Sequence, residues 1–219
     1  MSKYSLIIFD WDGTLMDSEQ HIVASMQAAM LEQQFDVLPA EAVRNIIGLG
    51  LPEAVHMLYP CEPETRRQLL CEAYSHHFVA GNPGTLKLFP EAEAVLADLR
   101  KAGFQLAVAT GKTRKGLDRL LAYNNWHSHF DGTRCADETR SKPHPQMLLE
   151  LLAELDCQPQ RALMVGDTEF DLAMAANAYM DSVGVSYGVH EVARLERHGP
   201  QLVVDHLAEL RDWLLSTVS

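Results

Sequence analysis

Short apolar runs that end abruptly in a polar residue recur along the chain. "SLIIFD" (5–10), "FQLAVATG" (104–111) and "RALMVGD" (161–167) are the clearest, and "DSVGVSYG" (181–188) and "QLVVD" (201–205) repeat the pattern more weakly. Unbroken apolar runs of this length belong to strands buried on both faces, since a half-exposed strand alternates. Helical spacing fills the gaps. "EAEAVLADLRKAG" groups Val95, Leu96 and Leu99 and stops at Gly103, while "KPHPQMLLELLAEL" carries Pro143 and Pro145 near its start and then Leu148, Leu149 and Leu152. "TEFDLAMAANAYM" begins directly after Asp167. Strands alternating with helices predict an α/β fold built on a Rossmann-like parallel sheet.

The alternation breaks once. Between residues 19 and 80 the chain offers "EQHIVASMQAAMLEQQF", "PAEAVRNIIG", "PEAVHMLY" and "PETRRQLLCEAYSHHFVA", all helical in pattern and none a convincing strand. This predicts a small helical cap domain, residues 18–84, inserted into a core formed by 1–17 and 85–219, with "GNPGTLKLFP" (81–90) as the return linker.

Composition narrows the function classes. A chain of 219 residues with 47% hydrophobic residues can bury one ordinary core plus a small accessory domain. No run approaches the roughly 18 apolar residues of a membrane span, and "LIIF" is too short for a signal peptide, so no membrane partner is expected. Cys61, Cys71, Cys135 and Cys157 show no CxxC spacing and read as free thiols of a reducing cytoplasm rather than as zinc ligands. The formal charge of −12 argues against nucleic acid as a partner. A small anionic substrate stays open if a metal ion and a lysine reverse the sign locally. Oligomeric state leaves no trace in the sequence.

The candidate chemistry sits at the strand ends, where ligands bind in open parallel sheets. Asp10, Thr110 and Asp167 each occupy such an end. In "DWDG", Asp10 and Asp12 are two apart, which in extended chain points both carboxylates the same way, and Gly13 permits a tight turn. Two neighbouring carboxylates either share a cation or push one pKa up, and either arrangement serves nucleophilic and general acid–base work. "DWDG" alone is equally well a capped strand end with turn-forming residues. "GDTEFD" adds Asp167 and Asp171 one helical turn apart, hard oxygen ligands suited to magnesium. "SKPHP" adds Lys142 as a point charge for an anion, and "ATGK" a hydroxyl and amides at a helix start. "GKT" at 111–113 is no Walker A loop, because position 106 is leucine where that motif requires glycine.

In this order "DWDGTLMDS", "VATGK", "KPHP" and "GDTEFD" resemble the haloacid dehalogenase superfamily, in its phosphatase branch with a helical cap after the first strand, and are similar to phosphoglycolate phosphatases. The resemblance implies a phosphomonoester hydrolase acting on a small phosphorylated, phosphoglycolate-like metabolite through an aspartyl-phosphate. Asp10 would be the nucleophile and Asp12 the general acid and base. Mg²⁺ would be held by the Asp10 carboxylate, the Asp12 backbone carbonyl and Asp167, with Asp171 behind them. Thr110, Gly111 and Lys142 would hold the phosphoryl oxygens. Asp12 separates the chain from the dehalogenases and phosphonate hydrolases, which lack the second aspartate, although Trp11 departs from the phenylalanine or leucine usual in phosphatases. A sugar-phosphate mutase and an inactive binding protein are the alternatives; the histidine of that mutase branch would fall at Ile22. A phosphoreceiver domain, which has neither cap nor "KPHP" lysine, fits poorly. Asp17 is expected to be structural, Met26 and Met30 to pack the cap, and the pairs in "HSH" (127–129) and His76–His77 to be solvated. Arg44 and "GLG" (48–50) are expected to face the leaving group.

Overall fold

The computed structural model describes residues 3–81 and 86–216. Its strands are β1 (Leu6–Phe9), β2 (Met16–Asp17), β3 (Lys87–Leu88), β4 (Gln105–Thr110), β5 (Gly132–Cys135), β6 (Ala162–Gly166), β7 (Asp181–Val185) and β8 (Val203–Val204). Six of them form one sheet in the order β5-β4-β1-β6-β7-β8, and every pairing in it is parallel. The chain leaves β1 for β4 on one side and later for β6 on the other. The order therefore reverses at β1, which opens a crevice beyond its carboxyl end. The expected α/β, Rossmann-like sheet is present, and all five anticipated runs contain a strand.

All four residues of β1 are buried, because the sheet is covered on both faces. Ile7, Phe9, Leu106, Val108, Leu163 and Val165 point to one side. There they meet α5 (Ala92–Lys101), α6 (Arg114–Asn124) and α10 (Leu207–Ser216), which contribute Leu96, Leu120 and Leu210. Leu6, Ile8, Ala107, Ala109 and Met164 point to the other, against α7 (Gln146–Glu154) and α8 (Glu169–Asn177). Trp11, fully buried, packs edge-on against Trp126 at 6.0 Å. Its unusual identity is thus accommodated by core packing. The last short helix of this half, α9 (Val192–Glu196), flanks β7 and β8.

Helices α1 (Glu19–Glu32), α2 (Ala40–Arg44), α3 (Leu51–Leu58) and α4 (Glu64–Ala80) make up the insertion. They share an apolar cluster of their own, including Val23, Met26, Met30, Val43, Val55 and Leu70. Met26 and Met30 pack there as expected. The two ends of the insertion are tied by the antiparallel pair β2–β3, Met16 opposite Leu88 and Asp17 opposite Lys87. That ribbon gives Asp17 its structural place. Of the expected return linker 81–90, residues 82–85 lie outside the described residues.

Two details differ from the sequence pattern. Strand β5, "GTRC", was not marked by an apolar run because it is an edge strand whose middle residues are half-buried. In α7 the inward face is Met147, Leu148, Leu151 and Leu152, so Leu149, expected to face inward, is 47% exposed. Truncating Leu148 to alanine should cost about 2–5 kcal/mol of unfolding free energy in urea. The same change at Leu149 should stay within roughly 0.5 kcal/mol.

Candidate active site

The first site element follows from how β1 ends. The Asp10 amide still donates to Val165 O of β6 at 2.9 Å, so its backbone stays in the sheet while its side chain leaves at the edge of the crevice. The chain then turns sharply, with Leu15 and Met16 both donating to Trp11 O. Gly13 sits in this turn at φ +80°, where a Cβ would lie 2.1 Å from Asp167 Oδ2. Glycine is required here for conformation and for close approach alike.

The second element is the junction of β6 and α8. Thr168 caps α8 by accepting from Asp171 N, and the Asp171 carboxylate accepts in return from Thr168 N at 3.1 Å, a reciprocal capping box. Capping turns Asp171 back toward the sheet. Asp10, Asp167 and Asp171, all buried, thereby converge until one oxygen of each lies within 4.8 Å of the others.

One ammonium enters this cluster. Lys142 Nζ lies 2.6 Å from Asp10 Oδ1 and 2.6 Å from Asp171 Oδ1, with all three side chains fully buried or nearly so. Both contacts are short, charge-assisted ion pairs. The other Asp171 oxygen accepts from Thr168 Oγ1 at 2.6 Å. Asp167 accepts from Thr14 Oγ1 at 3.0 Å and from Val189 N at 2.9 Å. Asp10 Oδ2 has no hydrogen-bond donor among the described residues.

Three carboxylates against one ammonium leave buried negative charge. Burial drives the Asp10 pKa well up; Lys142 opposes the shift, and the charges of Asp171 and Asp167 add to it. Asp167 is pushed up to about 7, by burial first and then by Asp171. Burial would lower the Lys142 pKa, but Asp10 and Asp171 outweigh it and the net shift is upward. A hard divalent cation is what this donor set fits: oxygen ligands only, with Asp10 Oδ2 left unpartnered, in a pocket short of positive charge.

Asp12 stands apart from the cluster and lines a cavity of about 920 Å³ between the sheet end and the helical insertion. Its Oδ1 accepts from Ser18 Oγ at 2.5 Å and pairs with Lys112 Nζ at 2.9 Å. Lys112 also places its ammonium 4.5 Å from the Phe78 ring centre. Thr110 is fully buried at the end of β4, and its hydroxyl accepts from Lys112 N at 3.2 Å. A Cβ on Gly111 would come 2.5 Å from Leu49 O and 2.6 Å from Gly48 O. The insertion's glycine loop therefore rests directly on the β4–α6 turn. Gly50 N donating to Ser141 Oγ at 2.7 Å and Arg194 donating to Asn45 Oδ1 at 2.6 Å fasten the same approach.

Asp10, Lys142, Asp167 and Asp171 are thus brought together, and Asp12 and Gly111 line the adjoining cavity. Gly48 and Leu49 of the "GLG" loop line it; Arg44 does not. Arg44 is half-exposed and paired with Glu19, because the end of α2 directs it along α1 instead of into the cavity. Sequence reasoning also missed Lys112, Ser18 and Thr14. All three stand inside or beside the quoted motifs, but the alternation rule that singled out Asp12 gives no role to their neighbours. Of the histidines, His77 pairs with Glu32, His129 stacks on Trp126, and His76 lines the cavity.

Comparison with known proteins gives this arrangement its class. Residues 7–185 match the model of the haloacid dehalogenase-like hydrolase family. The chain is 33% identical over 211 residues to "Probable phosphatase IndB" of Dickeya dadantii (94% of this chain, 91% of that one). It is 30% identical over 220 residues to a phosphoglycolate phosphatase of Psychrobacter arcticus (96% and 95%), and 26% identical over 209 residues to the pyrophosphatase PpaX of Bacillus cereus (95% and 95%). The crystal structure of a predicted phosphatase from Clostridium acetobutylicum superposes with TM-score 0.88 at 26% identity, covering 98% of this chain and all of the other. The chain belongs to the haloacid dehalogenase-like hydrolases. It is an enzyme, and these relatives, matched over nearly their whole length, are phosphatases.

The raised carboxylates fix the sign of a pH effect. Between the ordinary aspartate pKa and about 7 the metal-free folded state holds protons that the unfolded chain has released, so stability falls as pH rises through that window. Glu138, Glu150, Glu169 and Asp181, whose pKa values are lowered, act in the opposite direction only at more acidic pH. His190, lowered by burial, offsets part of the fall as pH rises through the ordinary histidine range, but it is one group against the two raised carboxylates. Thermal unfolding in chelator should therefore show a lower Tm at pH 7 than at pH 5.5. Asp167→Asn should flatten that slope.

Proposed function

We propose that the chain is a Mg²⁺-dependent phosphomonoester hydrolase that works through an aspartyl-phosphate on Asp10, with a core of residues 1–17 and 85–219 and a cap of 18–84. The observation that carries this reading is the Asp10 carboxylate, held only by Lys142 and facing the crevice where the sheet order reverses. A carboxylate oxygen without a hydrogen-bond donor keeps its lone pairs for attack. Lys142, itself fixed by Asp171, would orient it and then neutralise charge on the phosphoryl group.

In the forward step an Asp10 oxygen bonds to phosphorus, the ester P–O bond breaks, and its electron pair leaves with the alcohol oxygen, which takes a proton from Asp12. In the return step water attacks phosphorus, gives its proton to Asp12, and the Asp10 acyl–phosphate bond breaks to release phosphate. Ser18 and Lys112 hold the Asp12 carboxylate at the cavity wall, where the leaving oxygen must lie. Thr110, the Gly111 amide and Lys142 would bind phosphoryl oxygens. Mg²⁺, held by the Asp10 carboxylate, the Asp12 backbone carbonyl and Asp167 with Asp171 behind, would supply charge neutralisation for the transferring group. The substrate class is a small phosphorylated metabolite, and phosphoglycolate phosphatase is one of the activities named among the relatives. Location in the cytoplasm is supported by the four free cysteines; no helix among the described residues is long and apolar enough to cross a membrane.

Phosphate release in Mg²⁺ is expected from the wild-type chain and should be almost abolished in Asp10→Asn. Asp12→Asn should lose roughly 10²–10⁴-fold in kcat, the usual contribution of general acid–base catalysis. A folded Asp10→Asn protein with full turnover would remove the nucleophile assignment.

A further inference from the structure

The cavity beside Asp12 is large, about 920 Å³, at the upper end of the roughly 300–1,000 Å³ typical of small-molecule sites. Glycolate or a second phosphate would leave most of it unfilled. Its insertion side is mostly apolar: Ile22 and Met26 of α1, Ile46 and Leu49 of the α2–α3 connection, and Tyr74 and Phe78 of α4, with Ser75 and His76 the polar side chains beside them. The first six of these residues include two aromatic rings and only one polar side-chain atom, the Tyr74 hydroxyl.

The sheet side carries the charged groups of the lining, Asp12, Asp137, Lys112, Lys115 and Arg119. Lys112 is the cation nearest the reaction centre on this wall, and its ammonium is already neutralised by Asp12 at 2.9 Å. Lys142 is likewise held by Asp10 and Asp171. The other cations of the lining, Lys115 and Arg119, stand one and two turns further along α6. Neither forms a carboxylate ion pair among the described residues, and Arg119 donates to Val79 O at 2.9 Å, at the edge of the insertion. They are placed to attract a dianionic ester on entry rather than to pair with an acid next to the transferred phosphorus.

Resting on the phosphomonoesterase reading above, we propose that this cavity selects esters of bulky, ring-bearing alcohols over phosphoglycolate and pyrophosphate. The apolar wall binds the ring, and glycolate or a second phosphate leaves that wall uncovered.

The test compares kcat/KM for benzyl phosphate, 2-naphthylmethyl phosphate, ethyl phosphate, 2-phosphoglycolate and pyrophosphate, with 4-nitrophenyl phosphate as the reporter of any phosphatase activity. The first three leave as alkoxides of similar basicity, so their ratios report binding of the body and not leaving-group chemistry. The ring-bearing esters should exceed ethyl phosphate and 2-phosphoglycolate by roughly 10²-fold, the scale set by filling or leaving empty an apolar pocket. Met26→Trp, which fills the wall, should lower the naphthylmethyl-to-ethyl ratio at least about tenfold, with Ile22→Phe as the second variant if the first does not fold. Preference for 2-phosphoglycolate or pyrophosphate, or a ratio unmoved by both folded variants, overturns this inference and leaves the hydrolase intact. No phosphate from any ester, 4-nitrophenyl phosphate included, overturns the hydrolase reading itself and this inference with it.

Discussion

The ammonium of Lys142 wedged between Asp10 and Asp171 is the contact around which the site is arranged. Three carboxylates cannot be buried within 4.8 Å of one another unless positive charge is supplied, and a single lysine supplies only one unit of it. The rest of the local structure serves this constraint. Asp171 is turned inward by capping α8, Asp167 is braced by Thr14 and the Val189 amide, and Asp10 keeps its second oxygen free. What the protein does not neutralise by itself defines the charge of what it is proposed to bind, a divalent cation on one side and a phosphoryl dianion beside it.

The helical insertion meets the site through close backbone contact. Its glycine loop lies so close to Gly111 that a single methyl group there would collide with the Gly48 and Leu49 carbonyls. Asp12 lines the cavity that remains between the insertion and the sheet end. The β2–β3 ribbon holds both ends of the insertion at neighbouring points, so the same two strands that anchor it also fix where it can sit.

Much of this was legible in the chain. Apolar runs ending at Asp10, Thr110 and Asp167 are read correctly as strands because burial on both faces leaves no polar position to confuse the pattern, as the fully buried β1 and β6 show. Lys142 was legible as a charge, but its bond to Asp171 depends on how α8 is capped, a tertiary matter. Strand β5 was missed because an edge strand needs no continuous apolar run. Leu149 was misplaced because the exact phase of α7 is set by its contact with β4 and β5 and not by leucine spacing. Arg44 was misdirected for the same kind of reason, since the pairing with Glu19 lies across two helices. Lys112 was quoted within "ATGK" but has no meaning until the fold brings it 2.9 Å from Asp12.

The most direct test of the account is calorimetric titration of Mg²⁺ into the metal-free protein at pH 7 in two buffers of different ionisation enthalpy. If buried, uncompensated carboxylates are what the site is built from, binding should release protons held by the Asp10–Asp167 pair, and the observed heat should differ between the buffers. Asp167→Asn should weaken binding and reduce that proton release. A heat independent of the buffer, or no binding at millimolar Mg²⁺, would contradict the claim that this cluster is a cation site short of charge.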